Sequence, residues 1–499
     1  MNEVITMLST GFSNLLSFPA VIAMIGGVIL GTIFGALPGL SATTGMALLL
    51  PVAYSLDLKI SLLMLAGIYC GALYGGSISA ILLGIPGTAA ALPTTFDGYP
   101  MARQGHANKA LLAGLYASSI GGVASALVMM FLTPAIASVA VKFGTAEMFL
   151  LGVWGLSMVT GVVGGDVIKG LFMATLGLLV GMVGPDPING ISRFSFGQVS
   201  LIGGFPLVPA ILGTMALPRV YEMIETFRND ESFFSPQKEK SFFLKPIEIL
   251  KHWFLLLRST IVGVVVGIAP AAGPAIAAML SYNLAVKNDK NPETFGEGRI
   301  EGVYAAEAAN NGATGGSLVF ALSLGIPGSA AAAVLMSALI MKGIQPGPML
   351  MTNNSDLVYT FFAGFLVVNI LVFVIGHGFV QIGGYVLNTP VKLLAPVIFV
   401  ICMVGAYSDS RMTGVIQAFA ISIIAYILSK LKFPMAPFLL ALILVEIMEK
   451  NLWSYYAISQ GNLEKAFTRP VFLLLLVLVA LTFALPLITK IIRKQRLKI

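Results

Sequence analysis

The chain has 499 residues, of which 57% are hydrophobic and only 10% are charged, and its mean hydropathy is +0.92. Soluble domains carry about 25% charged residues, so this composition excludes a water-soluble enzyme, with or without a single membrane anchor. Lysine and arginine (29) exceed aspartate and glutamate (22) only modestly, so the position of the positive charge matters more than its sum. At about 20 residues per crossing, the apolar stretches between Phe18 and Leu487 leave room for roughly a dozen transmembrane helices. We predict an all-α polytopic membrane protein.

The amino-terminal half is predicted to hold six apolar helices followed by a proline-broken segment. The helices lie near residues 18–37, 41–56, 60–85, 108–141, 147–163 and 167–184, and the broken segment lies near 198–222. The first lysine or arginine is Lys59, so the beginning of the chain lacks the basic region of a cleavable signal peptide. The same lack of positive charge predicts an N-terminus outside the cytoplasm.

One extended polar region, about Thr226 to Lys251, separates this half from the next. It mixes basic residues with four acids and several phenylalanines, which is typical of an amphipathic segment at a membrane surface. Its positive charge places it on the cytoplasmic side. We therefore expect a first transmembrane repeat at 1–225, a cytoplasmic linker at 226–256 and a second transmembrane repeat at 257–499.

The carboxyl-terminal half is predicted to contain apolar segments near 257–285, 302–326, 329–342, 357–382, 391–407, 413–431, 434–450 and 470–489. Several are too short to cross a bilayer alone, so we expect re-entrant hairpins or broken helices among them. The chain closes with five basic residues and no acid, namely Lys490, Arg493, Lys494, Arg496 and Lys498. Such a tail is expected in the cytoplasm. Because it follows an apolar helix and no aromatic platform accompanies it, nucleic acid is not an expected partner.

Three motifs occur once in each half and in the same order. They are a proline break at Pro38 and Pro270, Gly-Gly-Ser at 75–77 and 315–317, and Gly-Ile-Pro-Gly at 84–87 and 325–328. A single glycine motif would indicate only close helix packing, but three in one order indicate a duplicated unit. Because the first half is expected to start outside the cytoplasm and the second half inside it, the two would form an inverted-topology repeat. Secondary transporters are often built on this plan.

The prolines are expected to break helices inside the membrane. Proline removes a backbone donor, and free backbone groups are tolerated there only beside protein or a water-filled cavity. Helix starts exposed in this way attract anions and helix ends attract cations; kinks that serve packing alone are the alternative. We therefore predict a substrate site near the membrane midplane, between the repeats. Its predicted residues are Gly39, Ser41, Thr43, Thr44, Gly75, Gly76, Ser77, Pro86, Gly87 and Thr88 on one side, and Asn310, Asn311, Thr314, Gly315, Gly316, Ser317, Pro327, Gly328 and Ser329 on the other.

Charge is scarce around these motifs. Residues 60–96 include none, and residues 302–341 include only Glu307. No arginine is available to clamp a carboxylate, so an anion would be held by backbone N–H groups, hydroxyls and amides, with a bound cation offsetting its charge. Glu307 is the candidate for the coupling ion, because an ionisable group within a span is costly and usually functional; a structural hydrogen bond is the alternative. Arg103 and Lys109 are expected to be ordinary loop charges.

Together these motifs resemble the large membrane subunit of tripartite tricarboxylate transporters, the TctA family, over about residues 18 to 440. The matching stretches are 35–40, 74–77, 84–87, 97–102, 301–303, 307–311, 324–329 and 345–348. The resemblance implies an elevator-type carrier for tri- or dicarboxylates in the bacterial inner membrane, with sodium as the expected coupling cation and a proton as the alternative. It also implies a periplasmic solute-binding protein that delivers the substrate, a small membrane subunit, and no further cofactor.

Other functions stay open on the sequence alone. A membrane-embedded enzyme would need a nucleophile–base pair or metal ligands, and the two cysteines and three histidines are scattered. A channel would need no coupling ion, a scaffold would leave the polar breaks unexplained, and a permease for another organic anion would share this architecture. Two residues depart from the family's pattern: Ala271 stands where glycine usually follows the proline, and Ala306 stands where proline is frequent. Both departures remove backbone specialisation from the second half.

Overall fold

The computed structural model describes residues 2–37, 40–162, 167–186, 188–225, 248–249, 251–270, 272–387 and 391–482. Within these ranges, six helices are long and apolar enough to cross a membrane, and shorter apolar helices of 10–17 residues accompany them. The predicted all-α polytopic membrane architecture is confirmed to that extent. Pro38, Gly39, Ala271, most of the predicted linker and the basic tail lie outside the described residues.

The first half begins with α1 (Asn2–Asn14), α2 (Phe18–Ala36), α3 (Ala42–Ser55), α4 (Leu58–Leu83), α5 (Leu92–Arg103), α6 (Ala107–Ala140), α7 (Thr145–Val162) and α8 (Val167–Gly181). The sequence analysis predicts neither α1 nor α5. In α5, Gly98 and Pro100 are residues typical of turns, so the sequence does not indicate a helix here. Pro93, however, occupies the first turn of α5, where its missing N–H needs no partner.

A short antiparallel hairpin follows α8, and ion pairs of Arg193 connect it to its own loop and to a helix of the second half. The elements are β1 (Gly184–Pro185), β2 (Ser192–Arg193), α9 (Leu207–Ile211) and α10 (Leu217–Glu225), the last two joined by a π-helical turn. The Arg193 guanidinium donates to both carboxylate oxygens of Glu449 at 2.5 and 2.9 Å and lies 3.1 Å from Asp186. Backbone N–H groups of the hairpin loop, together with Arg193, hold the pKa of Asp186 below its usual value.

The second half consists of α11 (Trp253–Ile268), α12 (Gly273–Asn288), α13 (Ile300–Leu324), α14 (Ala330–Met341), α15 (Leu350–Asn353), α16 (Ser355–Leu387), α17 (Val391–Lys430), α18 (Met435–Ile458) and α19 (Pro470–Thr482). The segment predicted as one helix at 257–285 is two helices, because Ala269 is extended before Pro270. Within α17 the chain turns back at Arg411, which has a φ of 55°. A Cβ added to Gly414 would lie 2.4 Å from the carbonyl oxygen of Ala406, so two helices meet there, as predicted.

α4 and α13 are the two central helices. In α4, 83% of the residues in an apolar stretch of 18 residues are buried, and in α13 all residues from Gly302 to Val319 are buried. Where they meet, Tyr69 of α4 contacts Ser317 of α13, whereas Leu73, one turn further along α4, contacts Asn310, which lies earlier in α13. These corresponding helices of the two halves therefore run in opposite directions.

Glycines allow one helix of each half to lie directly on its central helix. A Cβ added to Gly35 of α2 would lie 2.0 Å from the carbonyl oxygen of Ala72 in α4, and one added to Gly267 of α11 would lie 2.5 Å from that of Ala313 in α13. One turn earlier in each pair, another glycine makes the same kind of contact. Backbones approach this closely only where no side chain intervenes, so the two halves share one packing arrangement.

Candidate functional site

Helix starts from both halves converge on one cavity of about 270 Å³. From the first half come α3, which starts at Ala42, and the 3-10 turn Ala89–Ala91, which leads into α5. From the second half come α12, which starts at Gly273, and α14, which starts at Ala330. The residues that line the cavity are Ser41, Ala42, Thr43, Tyr69, Leu73, Thr88, Ala89, Ala90, Ala272, Gly273, Pro274, Ala275, Ser329, Ala330, Ala331, Ala436 and Leu440. The cavity thus lies where the two halves meet.

The cavity presents hydrogen-bond donors but, among its described lining residues, no charged side chain. Ser41 and Ser329 cap α3 and α14, each accepting a hydrogen bond at 3.1 Å from the backbone N–H three residues later. The caps leave other N–H groups of those first turns available. The Thr88 hydroxyl is buried and has no hydrogen-bond partner in the described part of the chain. Because helix starts carry partial positive charge, this arrangement favours an anion.

Tyr69 joins the two halves at the cavity wall, and the sequence analysis does not single it out. Its hydroxyl lies 3.0 Å from Oγ of both Ser317 and Ser329. Ser317 donates its own proton to the carbonyl oxygen of Thr314 at 2.8 Å, so Tyr69 donates to Ser317 and accepts from Ser329. This hydroxyl chain fixes the cap of α14 relative to α4.

The substitution Tyr69→Phe should raise the KM of uptake roughly tenfold, with a much smaller effect on the maximal rate. It removes two hydrogen bonds, each worth about 0.5–1.5 kcal/mol, and frees the Ser329 hydroxyl at the cavity wall while the ring keeps its shape. The control is Tyr74→Phe, on the same helix, whose hydroxyl makes only a long 3.4 Å bond to the carbonyl of Gly376. Concentration-dependent uptake measures both constants, and equal effects of the two substitutions would refute the role of Tyr69.

The structure divides the predicted binding residues into two groups. Ser41, Thr43, Thr88 and Ser329 line the cavity, and Thr44 donates its backbone N–H to Ser41. The residues that lie outside the lining are Gly75, Gly76, Ser77, Pro86, Gly87, Asn310, Asn311, Thr314, Gly315, Gly316, Ser317, Pro327 and Gly328. Gly39 lies outside the described residues.

The glycines of the Gly-Gly-Ser motifs are packing positions. A Cβ added to Gly75 would lie 2.2 Å from the carbonyl oxygen of Thr32, and one added to Gly315 would lie 2.3 Å from that of Ser125. Both Gly-Ile-Pro-Gly stretches begin with a glycine in the left-handed conformation, Gly84 (φ 69°) and Gly325 (φ 76°), which ends the central helix. These residues therefore hold the broken stretches that carry Thr88 and Ser329 to the cavity.

Glu307 is fully buried between the halves. Its carboxylate accepts hydrogen bonds from Thr94 Oγ1 at 2.5 Å, Ser118 Oγ at 2.9 Å and Asn310 Nδ2 at 3.3 Å. No lysine, arginine or histidine of the described ranges lies within ion-pair distance of it. Among the described residues, the carboxyl oxygens of Glu307 are therefore contacted by neutral groups and by no basic side chain.

Asp97 is a second buried carboxylate that the sequence analysis misses. Its Oδ1 accepts from the backbone N–H groups of Gly296, Gly298 and Arg299 at 2.8, 3.1 and 2.8 Å, and its Oδ2 accepts from the Tyr282 hydroxyl at 2.9 Å. Asp97 lies one turn after Thr94 in α5. The helix that follows the first-half break is thereby bound to α12 and to the polar segment before α13.

Comparisons with known proteins agree with this picture. The family model "Tripartite tricarboxylate transporter TctA family" matches residues 21–440. The chain is 34% identical over 476 residues to "Uncharacterized 52.8 kDa protein in TAR-I ttuC' 3'region" of Agrobacterium vitis, covering 94% of each chain. It is 31% identical over 210 residues to "Uncharacterized protein in TAR-II ttuC' 3'region" of the same organism, covering 42% of this chain and 87% of the relative. No solved structure matches the chain.

Proposed function

Because the chain belongs to the tripartite tricarboxylate transporter TctA family, we propose that it is a secondary carrier that moves a tri- or dicarboxylate together with a cation across the bacterial inner membrane. The predicted family is confirmed, and it is a family of transporters rather than enzymes. The observation that carries the proposal is the cavity walled by helix starts of both halves, with no charged side chain among its described lining residues. Such a site holds carboxylate oxygens through N–H groups and hydroxyls.

The substrate's charge explains the rest of the proposed mechanism. Helix starts carry about half a positive charge each, so the three α-helix starts at the cavity, those of α3, α12 and α14, together supply about one and a half charges, less than a di- or tricarboxylate carries. A cation bound nearby would supply the remainder and make binding of substrate and cation interdependent. Because each half contributes helix starts to the cavity, both halves can hold the substrate at once.

Two inverted repeats would give this carrier alternating access. Support comes from the matching glycine contacts of α2 on α4 and of α11 on α13, and from the opposite directions of α4 and α13 where they meet. Thr94 and Asp97 fasten the first-half break to helices of the second half. Both breaks would then move as one elevator-type unit that carries the cavity across the membrane.

The orientation follows from the last helix. Arg469, before α19, binds Glu147 at the start of α7 at 2.8 Å, and Thr482 at the end of α19 lies 3.7 Å from Met158 in α7, so α7 and α19 run in the same direction. If the basic tail is cytoplasmic, α7 also ends there, the hairpin loop is periplasmic and the linker is cytoplasmic. A membrane-impermeant thiol reagent should label Asn189→Cys but not Lys290→Cys in intact cells; the opposite pattern would invert the assignment.

Reconstitution tests the function directly. The purified chain, with its small membrane subunit, is placed in vesicles with the binding protein outside, and uptake of labelled citrate and other carboxylates is followed with and without a sodium or proton gradient. Accumulation above the outside concentration, only when a gradient is present, is the expected result. Equilibration without a gradient would indicate a channel, chemical conversion an enzyme, and no flux a scaffold. Accumulation of a different organic anion would correct the substrate.

A further inference from the structure

A polar pocket lies one layer behind the cavity wall. We define the Glu307 pocket as Glu307 and the three side chains that donate hydrogen bonds to it, those of Thr94, Ser118 and Asn310. Two links join it to the cavity. Asn310 Nδ2 donates to the carbonyl oxygen of the lining residue Leu73 at 3.4 Å, and Thr94 lies in the first turn of α5, directly after the 3-10 turn whose residues also line the cavity.

The Glu307 pocket and its neighbour Asn311 contain more polar atoms than the described hydrogen bonds satisfy. Glu307 brings a buried carboxyl group with which no described lysine, arginine or histidine forms an ion pair. Oδ1 of Asn310 is completely buried and has no hydrogen-bond partner in the described ranges, and the whole side-chain amide of Asn311, one residue later, is equally unpartnered. An unpaired buried polar atom costs about 1–3 kcal/mol, so a ligand that binds oxygen atoms would satisfy the pocket.

The oxygen atoms of the pocket match a hard cation. Glu307 offers two, Thr94 and Ser118 one each, and Asn310 one. Turning over the amide of Asn310 would place Oδ1 where Nδ2 now lies, 3.3 Å from Glu307 Oε2 and 3.4 Å from the carbonyl oxygen of Leu73, and a cation between these oxygens would replace the two hydrogen bonds that Nδ2 donates. Two oxygens bound at right angles to a cation with bonds of about 2.3–2.6 Å lie about 3.3–3.7 Å apart.

We propose that the Glu307 pocket is a sodium-binding site that controls the cavity wall. The single carboxylate balances the charge of a monovalent ion, whereas calcium sites collect several carboxylates and magnesium keeps much of its water. A proton on Glu307 Oε2 would pair with the turned Asn310 carbonyl alone, whereas a cation binds several of these oxygen atoms at once. Sodium bound here would hold Thr94, and through α5 the lining turn at 89–91, in the position that binds substrate. The proposal rests on the proposed function only for its coupling role.

Binding is measured without transport, on the purified full chain in detergent. Its unfolding midpoint is followed against sodium chloride, with potassium or choline chloride keeping the ionic strength constant. The midpoint should rise with sodium alone, and Glu307→Gln should abolish the rise. Thr94→Val and Ser118→Ala should shift the half-saturating sodium concentration upward by roughly tenfold, the loss of one charge-assisted bond.

Each of the two hydroxyl variants has a matched control on the same helix. Thr95→Val removes a hydroxyl that donates to the carbonyl of Leu92, and Ser119→Ala removes one that makes no hydrogen bond to Glu307; both should respond to sodium like the unmodified chain. An equal response to potassium, a rise produced by lower pH in place of sodium, or equal effects of variants and controls would overturn the proposal. If Glu307→Gln fails to fold, Thr94→Val decides.

The two proposals can fail separately. If sodium stabilises the protein through this pocket but no carboxylate accumulates in vesicles, the proposed function fails and the ion site stands. If carboxylate accumulates but sodium leaves the unfolding midpoint unchanged, the ion site fails and the carrier stands. If both hold, the KM for carboxylate should fall at least tenfold between low and saturating sodium, and Thr94→Val should require proportionally more sodium for the same KM.

Discussion

Gly87→Ala and Gly328→Ala should each reduce carboxylate uptake by roughly a hundredfold. A Cβ at Gly87 would lie 2.0 Å from the carbonyl oxygen of Gly35, and a Cβ at Gly328 would lie 2.2 Å from that of Gly267. Backbone atoms cannot yield like flexible side chains, so the broken stretch itself must shift, at a cost of about 1–3 kcal/mol or more. The next residue in each stretch, Thr88 or Ser329, would leave its place at the cavity.

Several controls separate this effect from a general defect. Gly26→Ala adds the same methyl group to α2, at a position with no atom within 4 Å, and should transport normally. Size-exclusion chromatography in detergent shows whether each variant is folded. Because the two sites occupy equivalent positions in the halves, their losses should be similar. Normal uptake by one variant and none by the other would contradict the equivalence of the two halves.

The sequence predicts well what is local. A glycine that ends a helix, a proline that follows it and a serine that caps the next helix all lie within six residues, as in Gly325 to Ser329, and their conformations follow from their own chemistry. The breaks and most helix bounds could therefore be predicted, whereas Ser41 and Ser329 are predicted only as binding residues and the structure adds their capping role. Two helices, the amphipathic α1 and α5 (92–103), could not be predicted. In α5 the reason is that Gly98 and Pro100 are typical of turns, whereas the helix is stabilised by burial, which the local sequence does not show.

Contacts between distant parts of the chain could not be predicted. Thr94 and Ser118 reach Glu307 across 213 and 189 residues, and no local pattern marks either hydroxyl as a partner. Glycine is ambiguous for another reason. The absence of a side chain serves both close packing and ligand approach, so the sequence alone does not distinguish these roles at Gly75 and Gly315, where the structure shows close contacts between helices.

Asp97→Ala should lower the unfolding midpoint by several degrees and eliminate most uptake. It removes the acceptor of three backbone N–H groups and of the Tyr282 hydroxyl. Hydrogen bonds to a charged group contribute about 1.5–3 kcal/mol each, although water can reach part of the 296–299 segment and replace some of them. Without this acceptor, α5 loses its hydrogen bond to α12 and its bonds to the 296–299 segment, which weakens the support of the 3-10 turn at 89–91 that lines the cavity.

Asp97→Asn tests which property of the carboxylate matters. Its Oδ1 can still accept the three N–H groups and its Nδ2 can donate to Tyr282, so geometry is kept while charge is lost, and the effect should be intermediate. Asp289→Asn is the matched control, because Asp289 binds Arg299 of the same segment at 3.1 Å but is partly exposed, where an ion pair contributes about 0–1 kcal/mol.

Limited proteolysis should cut the chain within residues 289–299 fastest in Asp97→Ala, more slowly in Asp97→Asn and most slowly in the control Asp289→Asn. Uncut segments in all three would mean that Asp97 does not hold this segment, and α5 would need another anchor. The predicted order instead follows from one cause: the N–H groups of 296–299 are fixed by a buried anion, and every loss of that anion releases the segment before it disturbs the central helices.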